Sequence, residues 1–231
     1  MGMTNLLNDL LWIIFPKLCA SCGKALSTED KVICVLCRNY LPVTNIHTEP
    51  DNVVIRHFWG KVNVASAASF LFYGKGDKVQ QLIYQLKYRG RKEVGVTVGK
   101  MYGHELLCSQ PFKSADVIIP VPLHVSKRNK RGYNQSELFA KGLSTAMNIP
   151  CDFNSLVRKV ATDTQTRKTR YNRFENVNRV FELVNHEAVR GKHVLLVDDV
   201  VTTGSTLTAC AEALLKAEGT RVSIATIACV Q

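Results

Sequence analysis

The sequence predicts an α/β fold, in which a mostly parallel β-sheet with crossover helices follows a small cysteine-rich module. Apolar, strand-like runs alternate with helix-like patterns between residues 61 and 231, which is typical of parallel sheets. Two C-x2-C pairs fall within the first 37 residues. An apolar run at residues 192–197 leads into two adjacent aspartates and a threonine-rich turn. Because open parallel sheets bind ligands at the carboxyl ends of their strands, that turn is the first candidate for a site.

Size and composition are consistent with this fold. The chain has 231 residues, 46% of them hydrophobic, and is long enough for one or two domains. We predict an N-terminal helix, cysteine module and connection over residues 1–60, and the sheet domain over residues 61–231. No apolar run reaches the roughly 18 residues of a transmembrane helix, so we expect no membrane insertion.

The charge and the N-terminus bear on partners and location. A formal charge of +11 favours phosphates, nucleotides or nucleic acid, and equally fits a merely basic soluble surface. The first 19 residues contain an apolar run without a basic leader or a small-x-small cleavage site. We interpret this run as a short amphipathic helix and expect a cytoplasmic protein.

The individual elements follow from hydrophobic periodicity and from turn residues. Asp77 can cap a helix that places Val79, Leu82, Ile83 and Leu86 on one face. Residues 38–60 read as a connection. The remaining predictions are strands at residues 62–73, 116–121, 181–184, 192–197 and 221–230, and helices at residues 79–88, 93–107, 134–147 and 205–217.

The four N-terminal cysteines predict a structural metal site. Cys19 and Cys22 form one pair, and Cys34 and Cys37 form the other after eleven intervening residues. Two such pairs supply the four thiolates of a closed tetrahedral Zn²⁺ site, which stabilises a fold and leaves no position for catalysis. Disulfides or a redox C-x-x-C are the alternatives. The other cysteines are interpreted as small core residues, namely Cys108, Cys151, Cys210 and Cys229.

The segment at residues 194–206 predicts a pocket for a ribose 5-phosphate group. Asp198 and Asp199 follow the apolar run, and two vicinal hydroxyls or a metal on them would use this carboxylate pair. The free amides and positive dipole end of the following helix favour a phosphate. Gly204 lets the backbone approach closely, and hydroxyls are supplied by Thr202, Thr203, Ser205 and Thr206. An ordinary strand-to-helix turn with a hydroxyl N-cap is the alternative.

The same residues carry a family resemblance. VLLVDDVVTTGST, at residues 194–206, resembles the phosphoribosyl pyrophosphate motif of type I phosphoribosyltransferases. The whole chain resembles the ComF (GntX-like) family through the double C-x2-C and three further segments. These are LKYRGR at residues 86–91, IPVPLHVSKRNKRGYNQS at residues 119–136 and TQTRKTRYNRFENV at residues 164–177.

The resemblance implies a sheet of the type I phosphoribosyltransferase type behind a zinc-ribbon-like module. It implies that Asp198 and Asp199 contact the ribose hydroxyls and that residues 202–206 surround the 5-phosphate. Phosphoribosyl pyrophosphate carries a diphosphate, usually with Mg²⁺, and Lys87 and Arg131 are the candidate cations for it. The basic segment at residues 164–177 reads as a lid over the diphosphate, a nucleic-acid track, or a solvated helix face.

The sequence supports two functional hypotheses. In the first, the chain is a phosphoribosyltransferase whose acceptor is unknown. In the second, it keeps the pocket but works without catalysis as an adaptor or nucleic-acid-binding protein, with single-stranded DNA or competence proteins as partners. The ComF family is linked to natural competence, and the retained acids and phosphate turn favour ligand binding under both hypotheses.

Overall fold

The computed structural model describes residues 16–159 and 180–230. The predicted N-terminal amphipathic helix and the basic segment at residues 164–177 lie outside these residues. The strands are β1 Ser66–Tyr73, β2 Val117–Pro120, β3 Leu156–Arg158, β4 Phe181–Leu183, β5 His193–Val201 and β6 Arg221–Val230. The α-helices are α1 Val35–Tyr40, α2 Lys78–Tyr88, α3 Lys92–Leu106, α4 Gln110–Lys113, α5 Val125–Arg131, α6 Gln135–Met147 and α7 Ser205–Leu214.

The described strands form a four-stranded parallel sheet and a two-stranded antiparallel one. The parallel sheet has the order β1-β6-β5-β2, with Ile119 opposite Leu196 and Leu196 opposite Ile224. Strands β3 and β4 pair separately and antiparallel. The sheet interior is apolar, and Leu195, Leu196 and Ile224 are fully buried. The predicted mostly parallel α/β fold is therefore confirmed.

Strand β5 is longer than the sequence predicted. It continues past the predicted end at residue 197 as far as Val201, with Asp198 opposite Thr226 and Val200 opposite Ala228. The prediction was wrong because it ended the strand at the first charged residue, whereas ladder pairing depends on backbone groups that β6 supplies along ten residues. The two acids therefore lie within the strand and not in the turn after it.

Four short elements were also missed, namely α1, α4, α5 and β3. Each covers at most seven residues, which is too short for a helical or strand period to stand out. The predicted helix at residues 205–217 ends at Leu214. Cys210 and Cys229 are core residues as predicted, whereas Cys108 is exposed, because it lies in the turn that follows α3.

Helices α3 and α6 meet at backbone contact. A Cβ atom on Gly99 would lie 2.3 Å from the Phe139 carbonyl oxygen, and one on Gly142 would lie 2.3 Å from the Val96 carbonyl oxygen. Neither position therefore accepts a larger residue without separating the helices. This tight pair fixes the N-terminal end of α6 beside the carboxyl end of β5.

The segment at residues 46–60, predicted as a connection, is packed onto the sheet. The buried Asn52 amide donates to the Ala67 carbonyl of β1 at 3.0 Å and accepts from the Val54 and Ile55 amides. Phe58 is fully buried. These contacts hold the segment against the same edge of the molecule as the turn before α7.

The cysteine module contacts α2 near both of its ends. Ser21 Oγ donates to the Lys78 carbonyl at the start of the helix, at 3.4 Å. Arg91, just beyond the end of the helix, donates from Nη1 to the Leu18 carbonyl at 2.8 Å. In the part of the chain that the structure describes, the helices are too short or too polar to span a membrane.

Candidate functional site

The turn between β5 and α7 presents unpaired backbone donors. Gly204 is the N-cap of α7 with φ +76° and offers no side-chain cap. The amides of Thr202, Thr203, Gly204 and Thr206 have no hydrogen-bond acceptor within residues 16–159 and 180–230. The turn encloses a depression of about 50 Å³. Unpaired amides at the positive end of a ten-residue helix form an anion site.

Side chains around this depression add hydroxyl groups. Thr203 Oγ1 and Ser205 Oγ lie 3.0 Å apart, and Thr202 and Thr206 are exposed beside them. The structure thus brings the five sequence-predicted residues of the turn together. Their hydroxyls can reorient toward an oxyanion that the amides hold.

The segment at residues 52–60 closes one side of the turn, which the sequence did not predict. A Cβ atom on Gly204 would lie 3.2 Å from His57 Cβ and 3.3 Å from Phe58 Cε1. The positive φ and these neighbours together require glycine at position 204. No local pattern signals the contact, because it joins residues almost 150 positions apart.

The two aspartates have separate partners. Asp198 Oδ1 accepts from Ser136 Oγ on α6 at 2.8 Å, and Asp199 Oδ1 accepts from Lys87 Nζ on α2 at 2.9 Å. Consecutive side chains leave a strand in opposite directions, which explains the division. Ser136 is a site residue that the sequence did not single out for a role.

The pKa of Asp198 is raised to about 7. Burial removes its carboxylate from water, and the neighbouring negative charge of Asp199 adds to the shift. The Ser136 hydroxyl, the Asp199 amide and the Lys87 ammonium oppose it. Asp198 therefore exchanges its proton near neutral pH, and an added cation or hydroxyl donor favours its ionised form.

The two predicted cations occupy different positions. Lys87 contacts Asp199 through its ammonium group, and 20% of its side chain is exposed. Arg131 donates from Nη1 to Gln135 Oε1 at 2.8 Å, and its guanidinium carbon lies 5.2 Å from the Tyr88 ring centroid. Tyr88 follows Lys87 on α2, so both cations lie near the end of that helix.

The four N-terminal cysteines form one cluster. Their sulfur atoms all lie within 4.8 Å of one another, and those of Cys22 and Cys34 are 3.9 Å apart. A tetrahedral Zn²⁺ site with bonds of about 2.3 Å has sulfur–sulfur edges of about 3.8 Å. The cluster therefore has the dimensions of a metal site, whereas a disulfide needs about 2.05 Å.

The thiols of this cluster differ in acidity. Burial raises the pKa of Cys19, but the backbone amides of Cys34, Cys22 and Ser21 outweigh it and bring the pKa down to about 7. Burial raises the pKa of Cys37 to about 12, and the thiols of Cys22 and Cys34 contribute. A divalent cation among the four sulfurs would stabilise all of them as thiolates. The donor set thus fits a structural metal ion.

Known proteins match the C-terminal part of the sheet domain and, over a longer range, most of the chain. The family described as "Phosphoribosyl transferase domain" matches residues 134–230. The DNA utilization protein YhgH of Shigella flexneri is 33% identical over 86% of this chain and 84% of its own length. Competence protein F of Haemophilus influenzae is 40% identical over 46% of each chain. The chain belongs to the ComF family.

Within this ComF chain, the residues matched to the phosphoribosyltransferase domain include Ser136, both aspartates and the whole turn before α7. Among solved structures, the glutamine phosphoribosylpyrophosphate amidotransferase of B. subtilis, complexed with ADP and GMP, is 22% identical. Its TM-score is 0.44, with 62% of this chain and 30% of that chain covered. The relatives confirm the ComF resemblance. The family match and the parallel sheet confirm the predicted phosphoribosyltransferase domain.

Proposed function

We propose that this protein binds phosphoribosyl pyrophosphate together with Mg²⁺ and transfers its phosphoribosyl group to a nitrogen acceptor. The observation that carries the proposal is the continuous segment at residues 198–206. It offers two carboxylates at 2.8 and 2.9 Å from their partners and, directly after them, a turn of unpaired amides. Carboxylates suit sugar hydroxyls and unpaired amides suit a phosphate. Asp198 and the turn line the same depression.

Each residue has a role in this proposal. The turn at residues 202–206 binds the 5-phosphate. Asp198 and Asp199 accept hydrogen bonds from the ribose hydroxyls. Lys87 and Arg131 face the diphosphate, where Mg²⁺ neutralises charge on the leaving group. Catalysis is then mainly positioning and stabilisation of the departing diphosphate.

Lys87 is the residue that connects ribose and diphosphate. Its ammonium is already 2.9 Å from Asp199, so a bound ligand meets a preformed pair of opposite charges. When a diphosphate arrives, the ammonium can share its three donors between Asp199 and a phosphate oxygen. Loss of this pair would leave Asp199 uncompensated in a half-buried site, which disfavours ligand binding.

The cysteine cluster supports a structural Zn²⁺ ion in the proposal. Four thiolates close the coordination shell, so Cys19, Cys22, Cys34 and Cys37 hold the metal and take no part in the transfer. The metal would keep the first cysteine turn folded, and that turn contacts Lys78 at the beginning of α2 and Arg91 at the N-cap of α3. Through α2, the module stabilises the position of Lys87.

A second function has its own support. The formal charge of +11 and the name DNA utilization protein of a relative that covers most of the chain favour an adaptor that binds single-stranded DNA. In that case the pocket binds its ligand without turnover. The two functions differ in one observable, which is release of pyrophosphate.

The experiment that separates them measures pyrophosphate release. Purified protein is supplied with phosphoribosyl pyrophosphate and Mg²⁺ and screened against ammonia, nucleobases and other nitrogen nucleophiles. A transferase releases pyrophosphate with at least one acceptor, and Lys87→Ala lowers that rate by about 10-fold or more, as expected for one lost charge contact. Binding of phosphoribosyl pyrophosphate and single-stranded DNA without release under any condition would instead support the adaptor.

A further inference from the structure

Asp198 uses only one of its two carboxylate oxygens in contacts with the protein. Oδ1 accepts from Ser136 Oγ and from the Asp199 backbone amide, both at 2.8 Å. Oδ2 has no hydrogen-bond partner within residues 16–159 and 180–230. The side chain lines the depression at the turn before α7. The protein therefore holds one oxygen and leaves the other without a partner beside the proposed ligand site.

Ser136 is itself held in place by the fold. It is buried, and its backbone amide donates to the Asn134 side-chain oxygen at 3.1 Å. Asn134 also donates from Nδ2 to the Val121 carbonyl at 3.0 Å, which fastens the start of α6 to the residue after β2. The backbone contact between α3 and α6 holds the helix from its other side. The Ser136 hydroxyl therefore has a defined position relative to Asp198.

The hydroxyl of Ser136 is not used to cap its own helix. Asn134 is the N-cap of α6, and its side chain accepts from the Ser136 amide. Serine hydroxyls near a helix start commonly bond to the neighbouring backbone, whereas this one donates to a carboxylate on β5. A hydrogen bond to an ionised acceptor is roughly twice as strong as one between neutral groups. The contact therefore acts on Asp198 and not on α6.

We infer that Ser136 is a positioning residue, which holds one oxygen of Asp198 so that the other accepts a hydrogen bond from a ribose hydroxyl. The inference rests on the proposed function, because only a bound phosphoribosyl group supplies that hydroxyl. Ser136 acts through Asp198 and not by contact with the ligand. Because the terminal torsion of an aspartate is broad, loss of the Ser136 donor would leave only the Asp199 amide to orient the carboxylate.

The same hydroxyl affects the charge of Asp198. Burial and the charge of Asp199 raise the pKa of Asp198 to about 7, while the Ser136 hydroxyl and the Lys87 ammonium oppose them. On α7, the Cys210 thiol also interacts with Asp198, but burial raises the pKa of Cys210 well above its usual range, so this thiol stays neutral. Removal of the hydroxyl should therefore raise the pKa of Asp198 further and leave less of the ionised acceptor at neutral pH.

The test compares ribose 5-phosphate with orthophosphate, each without a metal ion. Orthophosphate reports on the turn alone, and ribose 5-phosphate adds the sugar hydroxyls. Calorimetric titration of the full-length protein near neutral pH should show that Ser136→Ala binds ribose 5-phosphate about 10-fold more weakly than the wild-type protein, as expected for one lost hydrogen bond to a charged group. The affinity for orthophosphate should be unchanged, because the variant keeps the amides of the turn.

The pH dependence separates positioning from a general loss of structure. At each pH, the ratio of the two proteins' affinities for ribose 5-phosphate cancels the titration of the ligand's own phosphate. This ratio should approach one as the pH rises from about 7 to about 9, because Asp198 then becomes ionised in both proteins, with pKa values that differ by about one unit. A purely structural effect of Ser136→Ala would give a ratio that does not change with pH.

Two further measurements keep the test specific. Thr145→Ala removes an exposed hydroxyl from the same helix, which donates to the Lys141 carbonyl, and should leave both affinities unchanged. Carboxyl-carbon NMR of the ligand-free proteins should give a higher pKa for Asp198 in Ser136→Ala than in the wild-type protein. Thermal unfolding of each variant checks that the fold is intact.

The outcomes distinguish this inference from the proposed function. If the wild-type protein binds ribose 5-phosphate and Ser136→Ala binds it equally well at every pH, the positioning role is wrong and the phosphoribosyl site remains. If Ser136→Ala weakens binding of orthophosphate and ribose 5-phosphate by the same factor, the serine only supports the structure of the turn, and the inference is again wrong. If the wild-type protein binds ribose 5-phosphate no more tightly than orthophosphate, the sugar is not recognised and both the inference and the proposed function are overturned.

Discussion

The cysteine cluster and the phosphate turn are built in opposite ways. The cluster takes all four sulfurs from one stretch of 19 residues, Cys19 to Cys37. The phosphate turn depends on partners far along the chain, including Ser136 on α6, Lys87 on α2 and His57 beside Gly204. A site made from one short segment is visible in sequence spacing, whereas a site assembled by the fold is visible only in part.

The two regions also differ in the charge of the ligand that each one favours. The cluster crowds four thiols, and the pKa of Cys19 is about 7 whereas that of Cys37 is about 12. A cation among the sulfurs would stabilise them as thiolates. The turn presents amides without acceptors in the described part of the chain, and an anion satisfies them. The cysteine cluster therefore favours a cation, and the phosphate turn favours an anion.

The largest expected effect tests whether the four clustered cysteines bind one zinc ion. Wild-type protein should contain about one zinc per chain, and Cys34→Ser should lose it, because three thiolates leave the tetrahedral shell open. Elemental analysis of the purified protein measures this. Cys108→Ser is the matched control, since Cys108 is exposed and outside the cluster. Full zinc content in Cys34→Ser would contradict a four-thiolate site.

The same variant also tests how independent the two regions are. The first cysteine turn contacts the start of α2 through Ser21, and Leu18 of that turn accepts from Arg91 in the connection between α2 and α3. Loss of the metal should therefore weaken binding of phosphoribosyl pyrophosphate several-fold. Unchanged affinity in Cys34→Ser would show that the cluster and the pocket are uncoupled.

The next effect tests the helix pair that positions Ser136. Gly99→Ala should lower the free energy of unfolding by about 1–3 kcal/mol, the usual range for overpacking, because the new Cβ would lie 2.3 Å from the Phe139 carbonyl. Denaturant unfolding measures this, and Lys100→Ala on the exposed side of the same helix is the control. An equally stable Gly99→Ala protein would mean that the helices separate without cost.

A further effect concerns pH. The pKa of Asp198 is about 7 in the folded protein and 3.8 ordinarily, so the folded state retains a proton that the unfolded state releases. The contribution of Asp198 to the free energy of unfolding should therefore fall as pH rises from about 4 to about 7, by at most roughly 1.4 kcal/mol per pH unit. Asp198→Asn should reduce that slope.

The comparison with Asp198→Asn isolates this group. Burial lowers the pKa of His47 and His193, which makes stability rise with pH as these residues lose their protons, and both remain in the variant. Chemical denaturation of both proteins across this pH range measures the two slopes. Equal slopes would contradict the raised pKa of Asp198.

Sequence reasoning predicted the parts of the molecule that depend on neighbouring residues. The parallel sheet, the cap at Asp77 and the four cysteines all follow from local period or spacing. The asparagine that fastens residues 46–60 to β1, and the contact of Phe58 with Gly204, depend on packing across the fold. Asp198 and Asp199 were predicted by residue type, but their separate partners follow from the continuation of β5 along β6, which no local signal indicated.

The most direct test of the central claim is a calorimetric titration of phosphoribosyl pyrophosphate with Mg²⁺. The wild-type protein should bind it with one site per chain. The Asp198→Asn, Asp199→Asn double variant should lose at least about 100-fold in affinity, as expected when two charged contacts are removed from a half-buried site. Asp51→Asn, at an exposed ion pair with Arg56, should bind like the wild-type protein. Equal affinity of the double variant and the wild-type protein would contradict the assignment of residues 198–206 as the phosphoribosyl site.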